Sequence, residues 1–124
     1  MADGSNPTPV VAAGILIRSP AGRVLLLRRA GAEDHEGEWS LPGGRLKQGE
    51  DHATAAVRET FEELGWHPGS AGTLHCRRVR DGVDYTTFLK DVDHEFSPPH
   101  LNHEHDAWAW VDPEDALTMK GTPP

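Results

Sequence analysis

Four glutamates and two arginines crowd into one short stretch, Gly44 to Trp66, which reads GRLKQGEDHATAAVRETFEELGW. A helix from Asp51 to Leu64, turning about 100° per residue, places Ala53, Val57, Phe61 and Leu64 on a core-facing side. Glu59, Glu62 and Glu63 fall on the far side, where i,i+3 and i,i+4 spacing makes them neighbours. Ala55 shares that polar side and is small enough to leave room above it. Three like charges on adjacent turns repel, and helix formation gains nothing from them. A hard divalent cation relieves such repulsion with oxygen ligands, and Mg²⁺ is the usual choice where phosphates also bind. The bland alternative is a solvated acidic face supported by an Arg58–Glu62 pair. Asp51 is placed to cap the helix at its start, and Gly65 to end it in the left-handed conformation.

The spacing narrows the choice. Gly44, five residues, Glu50, seven residues, and then Arg58-Glu59-Thr60-Phe61-Glu62-Glu63-Leu64-Gly65-Trp66 resembles the Nudix box. That box is the signature of a family that hydrolyses nucleoside diphosphates linked to another moiety. Every glycine, glutamate and arginine of the pattern is in place, while Thr60 and Trp66 stand where the family prefers aliphatic residues.

The resemblance implies a set of roles. Glu59, Glu62 and Glu63 would bind Mg²⁺, with Mn²⁺ able to substitute, and the Gly43 carbonyl would add a backbone ligand. Glu50 would be a supporting or bridging carboxylate, and Arg58 would hold a glutamate in the right rotamer. The metal would polarise phosphoryl oxygens, lower the pKa of a water and orient in-line attack at phosphorus. A general base would take the proton. The family draws that base from the box or from a later loop, so Glu63 and Glu104 both stand as candidates. Arg28-Arg29-Ala30 resembles the enzymes that clear oxidised nucleotides, and either arginine could reach a substrate phosphate. A solvated strand end explains the same two arginines equally well. Tyr85 lies near where dinucleoside-polyphosphate hydrolases of the family carry a tyrosine, although a tyrosine in a strand needs no such role.

The implied activity is a pyrophosphohydrolase acting on a nucleoside triphosphate or a related nucleotide. ADP-ribose, nucleotide sugars and dinucleoside polyphosphates are alternative substrates. A domain that senses nucleotides without cleaving them is a reading of another class. Such domains commonly lose box glutamates, and none is missing here.

Composition agrees with a small-molecule partner. Twelve basic against twenty acidic residues give a formal net charge of −8, which argues against non-specific binding to nucleic acid or anionic membrane. Metal ions can still neutralise such a site for polyphosphate. Cys76 is the single cysteine, so no internal disulfide forms and a reducing, cytoplasmic setting is expected. The apolar run Val10 to Ile17 is too short to span a bilayer. Monomer and homodimer both remain open.

The elements that must position these residues follow from pattern. Residues 1–9 read as a flexible lead-in and residues 10–124 as one domain. Val10–Arg18 and Arg23–Arg29 are nearly continuous apolar runs split by Ser19-Pro20-Ala21-Gly22, expected as two buried strands. Pro42-Gly43-Gly44 is a tight turn that lets backbone approach a ligand. Gly72–Arg80 and Val83–Val92 read as a hairpin joined by Asp81-Gly82. Arg77, Arg78 and Arg80 form a basic cluster, read as edge protection or as a guide for polyphosphate. Between His94 and His105 lies a loop whose histidines also permit a transition-metal site. Ala107–Val111 is expected as a last strand, with Trp108 and Trp110 on one face, and Asp112-Pro113 opens a short helix through Met119. Together these predict an α/β fold, a Nudix-type mixed sheet sandwiched between helices with a short C-terminal helix.

Overall fold

A computed structural model describes residues 8–31 and 34–121. Most of the expected lead-in, residues 1–7, and the last three residues lie outside the described residues. Strand β1 (Val10–Arg18) is the axis of the sheet. It runs parallel to β6 (Val83–Asp91) over nine register pairs and antiparallel to β4 (Gly43–Arg45) across Ala12, Ala13 and Gly14. Strand β2 (Val24–Arg29) meets β1 at Arg18↔Val24, then pairs antiparallel with β3 (Trp39–Ser40) and with β7 (His105–Val111). Strand β5 (Thr73–Arg80) completes the sheet beyond β6.

The expected hairpin turns as its residues dictate. Asp81 and Gly82 both have positive φ, 52° and 78°, the pairing that a two-residue primed turn needs. Every residue of β5 is exposed, and Arg77 pairs with Asp84 across the hairpin at 2.6 Å. The basic cluster therefore stays on the edge. Gly14 allows the close approach its position requires, since a Cβ there would stand 2.6 Å from the Pro42 carbonyl oxygen and collide with the Tyr85 hydroxyl.

The helix α1 (His52–Leu64) lies across β1 and β4 and seals the core. Ala13, Ile15 and Ile17 of β1 and Leu25 and Leu27 of β2 meet Ala56 and Leu64 of α1 there. Burying each large aliphatic side chain contributes about 1.5–3 kcal/mol. The helix is rotated from the expectation. Phe61 is 50% exposed and tilts against His67, whereas Ala55, Ala56, Thr60, Glu63 and Leu64 are buried. Small side chains let α1 approach strands that carry Gly14, Gly43 and Gly44, and that close approach outweighs the burial of one phenylalanine. Ala55 therefore packs inside instead of leaving room above a polar face.

Thr60 is the weak point of this interface. It is fully buried, and its hydroxyl has no hydrogen-bond partner. Thr60→Val keeps the shape and removes the stranded hydroxyl, so unfolding in urea should show a gain of about 1 kcal/mol. A loss of stability would mean that the hydroxyl has a partner.

At the end of the chain, β7 starts two residues earlier than its apolar pattern, and α2 (Pro113–Ala116) is shorter than expected, with turns carrying the chain to Met119. Trp110 packs on the core and donates its ring N–H to the Phe96 carbonyl at 2.9 Å. Trp108 is 37% exposed. Among the described residues, no helix is long and apolar enough to cross a membrane.

Candidate active site

Local rules hold α1 at both ends. Asp51 accepts the Thr54 N–H at 2.7 Å, and Gly65, at φ 68°, donates its N–H to the Phe61 carbonyl. The next carbonyls would be left without partners at a helix end. Here a distant loop supplies them. His100 N–H reaches the Leu64 carbonyl at 3.1 Å and Asn102 N–H reaches the Glu63 carbonyl at 3.2 Å. The loop that carries Glu104 is thus braced on the helix.

Arg58 is the hub of the box carboxylates. It donates to both oxygens of Glu50 at 2.7 and 2.9 Å, to Glu59 at 2.8 Å, to Glu62 at 3.2 Å and to the Arg45 carbonyl at 3.1 Å. Those bonds bring the Glu50 carboxyl down to about 2, the hydrogen bond from Arg58 contributing most. Glu50 is therefore a fixed anion that anchors the arginine. Glu62 is the most open of the group, its side chain 43% exposed.

Glu59 and Glu63 behave differently. Burial drives the Glu63 carboxyl well above the ordinary range, and the negative Glu59 and Glu104 push the same way. The Gly43 N–H, 3.0 Å from Glu63 Oε1, and the charge of Arg29 only partly offset this. Burial likewise raises Glu59, against the pull of Arg58. Two carboxylates thus share one end of α1 with too little positive charge around them. Among the described residues, no three His, Cys, Asp or Glu side chains form a ready-made metal cage, because Arg58 and the Gly43 N–H each hold a carboxylate. The donors are all oxygens and short of positive charge, which fits a hard dication.

Gly44 has a role beyond its turn. A Cβ built there would collide with the Glu59 carboxylate, so the glycine is the space in which Glu59 lies. Gly44→Ala should displace only the end of Glu59, leaving the melting temperature near the parent's while kcat drops roughly tenfold. Unchanged kcat in that variant would show that the position of Glu59 is unimportant.

Glu59 opens onto a cleft of about 490 Å³ that it lines with Arg29, Gly43, Gly44, Arg45, Leu46, Lys47, Arg58 and Glu104. Glu104 is held by Asn102 and stands 3.8 Å from Arg29. Arg29 and Glu104, expected from separate parts of the chain, are thus brought to the same cleft as the box. Arg28 is not. Strand alternation turns it to the opposite face, where it pairs with Asp106 at 2.8 Å and lies over the Trp39 ring. Tyr85 is the register partner of Ala12 and shares the face opposite Ala13 and Ile15. Its hydroxyl packs behind Gly14 and Gly43, where burial raises its pKa.

The histidine cluster is dispersed. His100 and His103 are exposed, whereas His105 is buried at the start of β7 with Nδ1 unpartnered, its pKa pushed down to about 4, mainly by burial. A second depression, about 530 Å³, lies along α1 beside Val57, Phe61 and Ala71, and its lining includes no carboxylate.

Three contributors were not singled out from sequence. Arg45 and Lys47 sit two apart on the extended run after the double glycine, spacing that puts both on one side. Asn102, two residues before Glu104, has the spacing of an Asx turn.

A NUDIX domain pattern matches residues 8–124 of this chain. The chain belongs to the NUDIX family. Among its Nudix relatives, the CTP pyrophosphohydrolase of Escherichia coli is 34% identical over 109 residues, covering 86% of this chain and 78% of the relative. The asymmetrical bis(5'-nucleosyl)-tetraphosphatase of Caenorhabditis elegans is 33% identical over 119 residues, covering 89% and 84%. The crystal structure of a MutT protein from Methanosarcina mazei superposes with a TM-score of 0.74 at 27% identity, over 96% of this chain and 88% of that one. The mixed sheet with its two helices is the Nudix fold, and the chain is a Nudix hydrolase acting as a pyrophosphohydrolase. Nudix hydrolases work with a divalent cation, in keeping with the oxygen-rich end of α1.

Proposed function

We propose that this Nudix hydrolase is Mg²⁺-dependent and cleaves a phosphoric anhydride bond of a nucleoside triphosphate. The observation that carries the reading is a half-buried carboxylate, Glu59, and the buried Glu63 on the next turn of α1, beside a cleft that Glu59 and Glu104 line together with Arg29, Arg45, Lys47 and Arg58. Glu59, Glu62, Glu63 and the Gly43 carbonyl would hold the cation, and Mn²⁺ would substitute. A cation bound there neutralises phosphoryl oxygens and acidifies a water. Glu50 fixes Arg58, and Arg58 keeps Glu59 and Glu62 in their rotamers. Arg29, Arg45 and Lys47 bind the phosphate chain. Water attacks phosphorus, the anhydride P–O bond breaks, and the water's proton passes to Glu104. We favour Glu104 over Glu63 as the base because Glu63 is only 2% exposed and already accepts the Gly43 N–H.

CTP is the leading substrate class by likeness to the Escherichia coli enzyme, with oxidised nucleoside triphosphates beside it. A dinucleoside tetraphosphate is the second reading, favoured by the Caenorhabditis elegans relative. The test is a panel of CTP, oxidised dGTP, ADP-ribose, a nucleotide sugar and diadenosine tetraphosphate, with phosphate and pyrophosphate release followed separately. Turnover should vanish in excess chelator and return with Mg²⁺ or Mn²⁺. Full turnover after confirmed metal removal would sink the mechanism, and tight binding without turnover would favour a nucleotide sensor.

A further inference from the structure

We propose that Asn102 is the positioning residue for Glu104, orienting the carboxylate over the cleft from a loop that α1 itself braces. The proposal rests on the reading of Glu104 as the proton acceptor. Asn102 uses every polar group it has. Its Nδ2 donates to Glu104 Oε1 at 3.1 Å, and its Oδ1 accepts the Glu104 backbone N–H at 3.1 Å, which closes an Asx turn. Its own N–H donates to the Glu63 carbonyl at 3.2 Å, and its carbonyl accepts the His105 N–H at 3.3 Å. One side chain and its peptide therefore connect a box glutamate, the loop carboxylate and the first residue of β7.

The chemistry of an amide suits this task. A neutral donor fixes one carboxylate oxygen without placing a countercharge against it, and leaves the other oxygen without a bond from Asn102. A bidentate arginine in that place would orient equally well but would hold the proton affinity down. Arg29, the other contact described for the Glu104 carboxylate, stands at 3.8 Å, beyond hydrogen-bond reach. Orientation therefore comes from Asn102. The turn and the carboxylate bond are separable, because serine at this position can still accept the Glu104 N–H but is too short to reach Oε1.

The experiment uses Asn102→Ser, Asn102→Ala, Glu104→Gln and the double variant Asn102→Ala/Glu104→Gln in the full chain. The probe is CTP, or diadenosine tetraphosphate if that is turned over faster. Asn102→Ser should keep slow hydrogen exchange at the Glu104 N–H, read by NMR without metal, yet lose about tenfold in kcat with KM within twofold. Asn102→Ala should lose both the slow exchange and the rate. Adding Asn102→Ala to Glu104→Gln should cost nothing further, because the two act as one unit. Asn102→Ser with parental kcat, or additive losses in the double variant, would overturn the proposal while leaving Glu104 as the base. Parental activity in Glu104→Gln, or turnover of neither probe, would overturn the underlying reading and the positioning role with it.

Discussion

Glu63→Gln lowers kcat by at least ~10², and the metal-free variant is more stable than its parent. On the proposed reading the rate falls because the substitution removes one of the carboxylates that would hold the cation. Stability moves the other way because Glu63 is a buried acid. Its folded pKa lies well above the ordinary carboxylate value, so the native state binds a proton that the unfolded chain has already released. The metal-free parent therefore loses stability as pH rises from the ordinary carboxylate pKa through the raised one. Glutamine carries no such penalty and can still accept the Gly43 N–H. Urea unfolding in chelator should show the gain at pH 8 and little of it at pH 4. A variant that keeps its rate, or that unfolds more readily at pH 8, would reduce the glutamates to a charged helix face.

Glu104→Gln is expected to cost ~10²–10⁴ in kcat, the span of a lost general base, with KM and the Mg²⁺ requirement nearly unchanged. The carboxylate already lines the cleft, braced by Asn102, so no large rearrangement has to precede chemistry. If raising Mg²⁺ restores the rate, Glu104 is a metal ligand and the base lies elsewhere. A change of only a few-fold would make it an ordinary loop residue.

Much of this was legible in the residues. Apolar runs marked β1 and β2, Asp81-Gly82 marked the hairpin, and Asp51 and Gly65 bounded α1, because each follows from local backbone chemistry. The box spacing carried the family. What sequence left out depends on contacts across the chain. The face of α1 was misjudged because a helical wheel weighs hydrophobicity and not closeness. Against glycine-bearing strands, Ala55, Ala56 and Thr60 fit where Phe61 does not. The burial of Glu63 required a backbone donor from Gly43, twenty positions away. Strands β3 and β4 are too short for a periodic signal, and they exist because β2 and β1 offer them open edges. The sequence places Glu104 only in a loop between His94 and His105. The last turn of α1 fixes that loop through His100 and Asn102, a tie that no local pattern announces.

The pairing of β2 with β7 has a consequence for how the protein is made. Arg28 and its partner Asp106 are 78 positions apart, so β2 is flanked on that side by a strand that leaves the ribosome long after it. The box helix emerges well before His100 and Asn102, so for that interval its last carbonyls face water. Only when the segment around His100 and Asn102 docks are those carbonyls covered. The nascent chain therefore carries a complete signature before the loop that braces it, and if Glu104 is the base, ribosome-bound chains stalled before residue 104 should turn over no nucleotide.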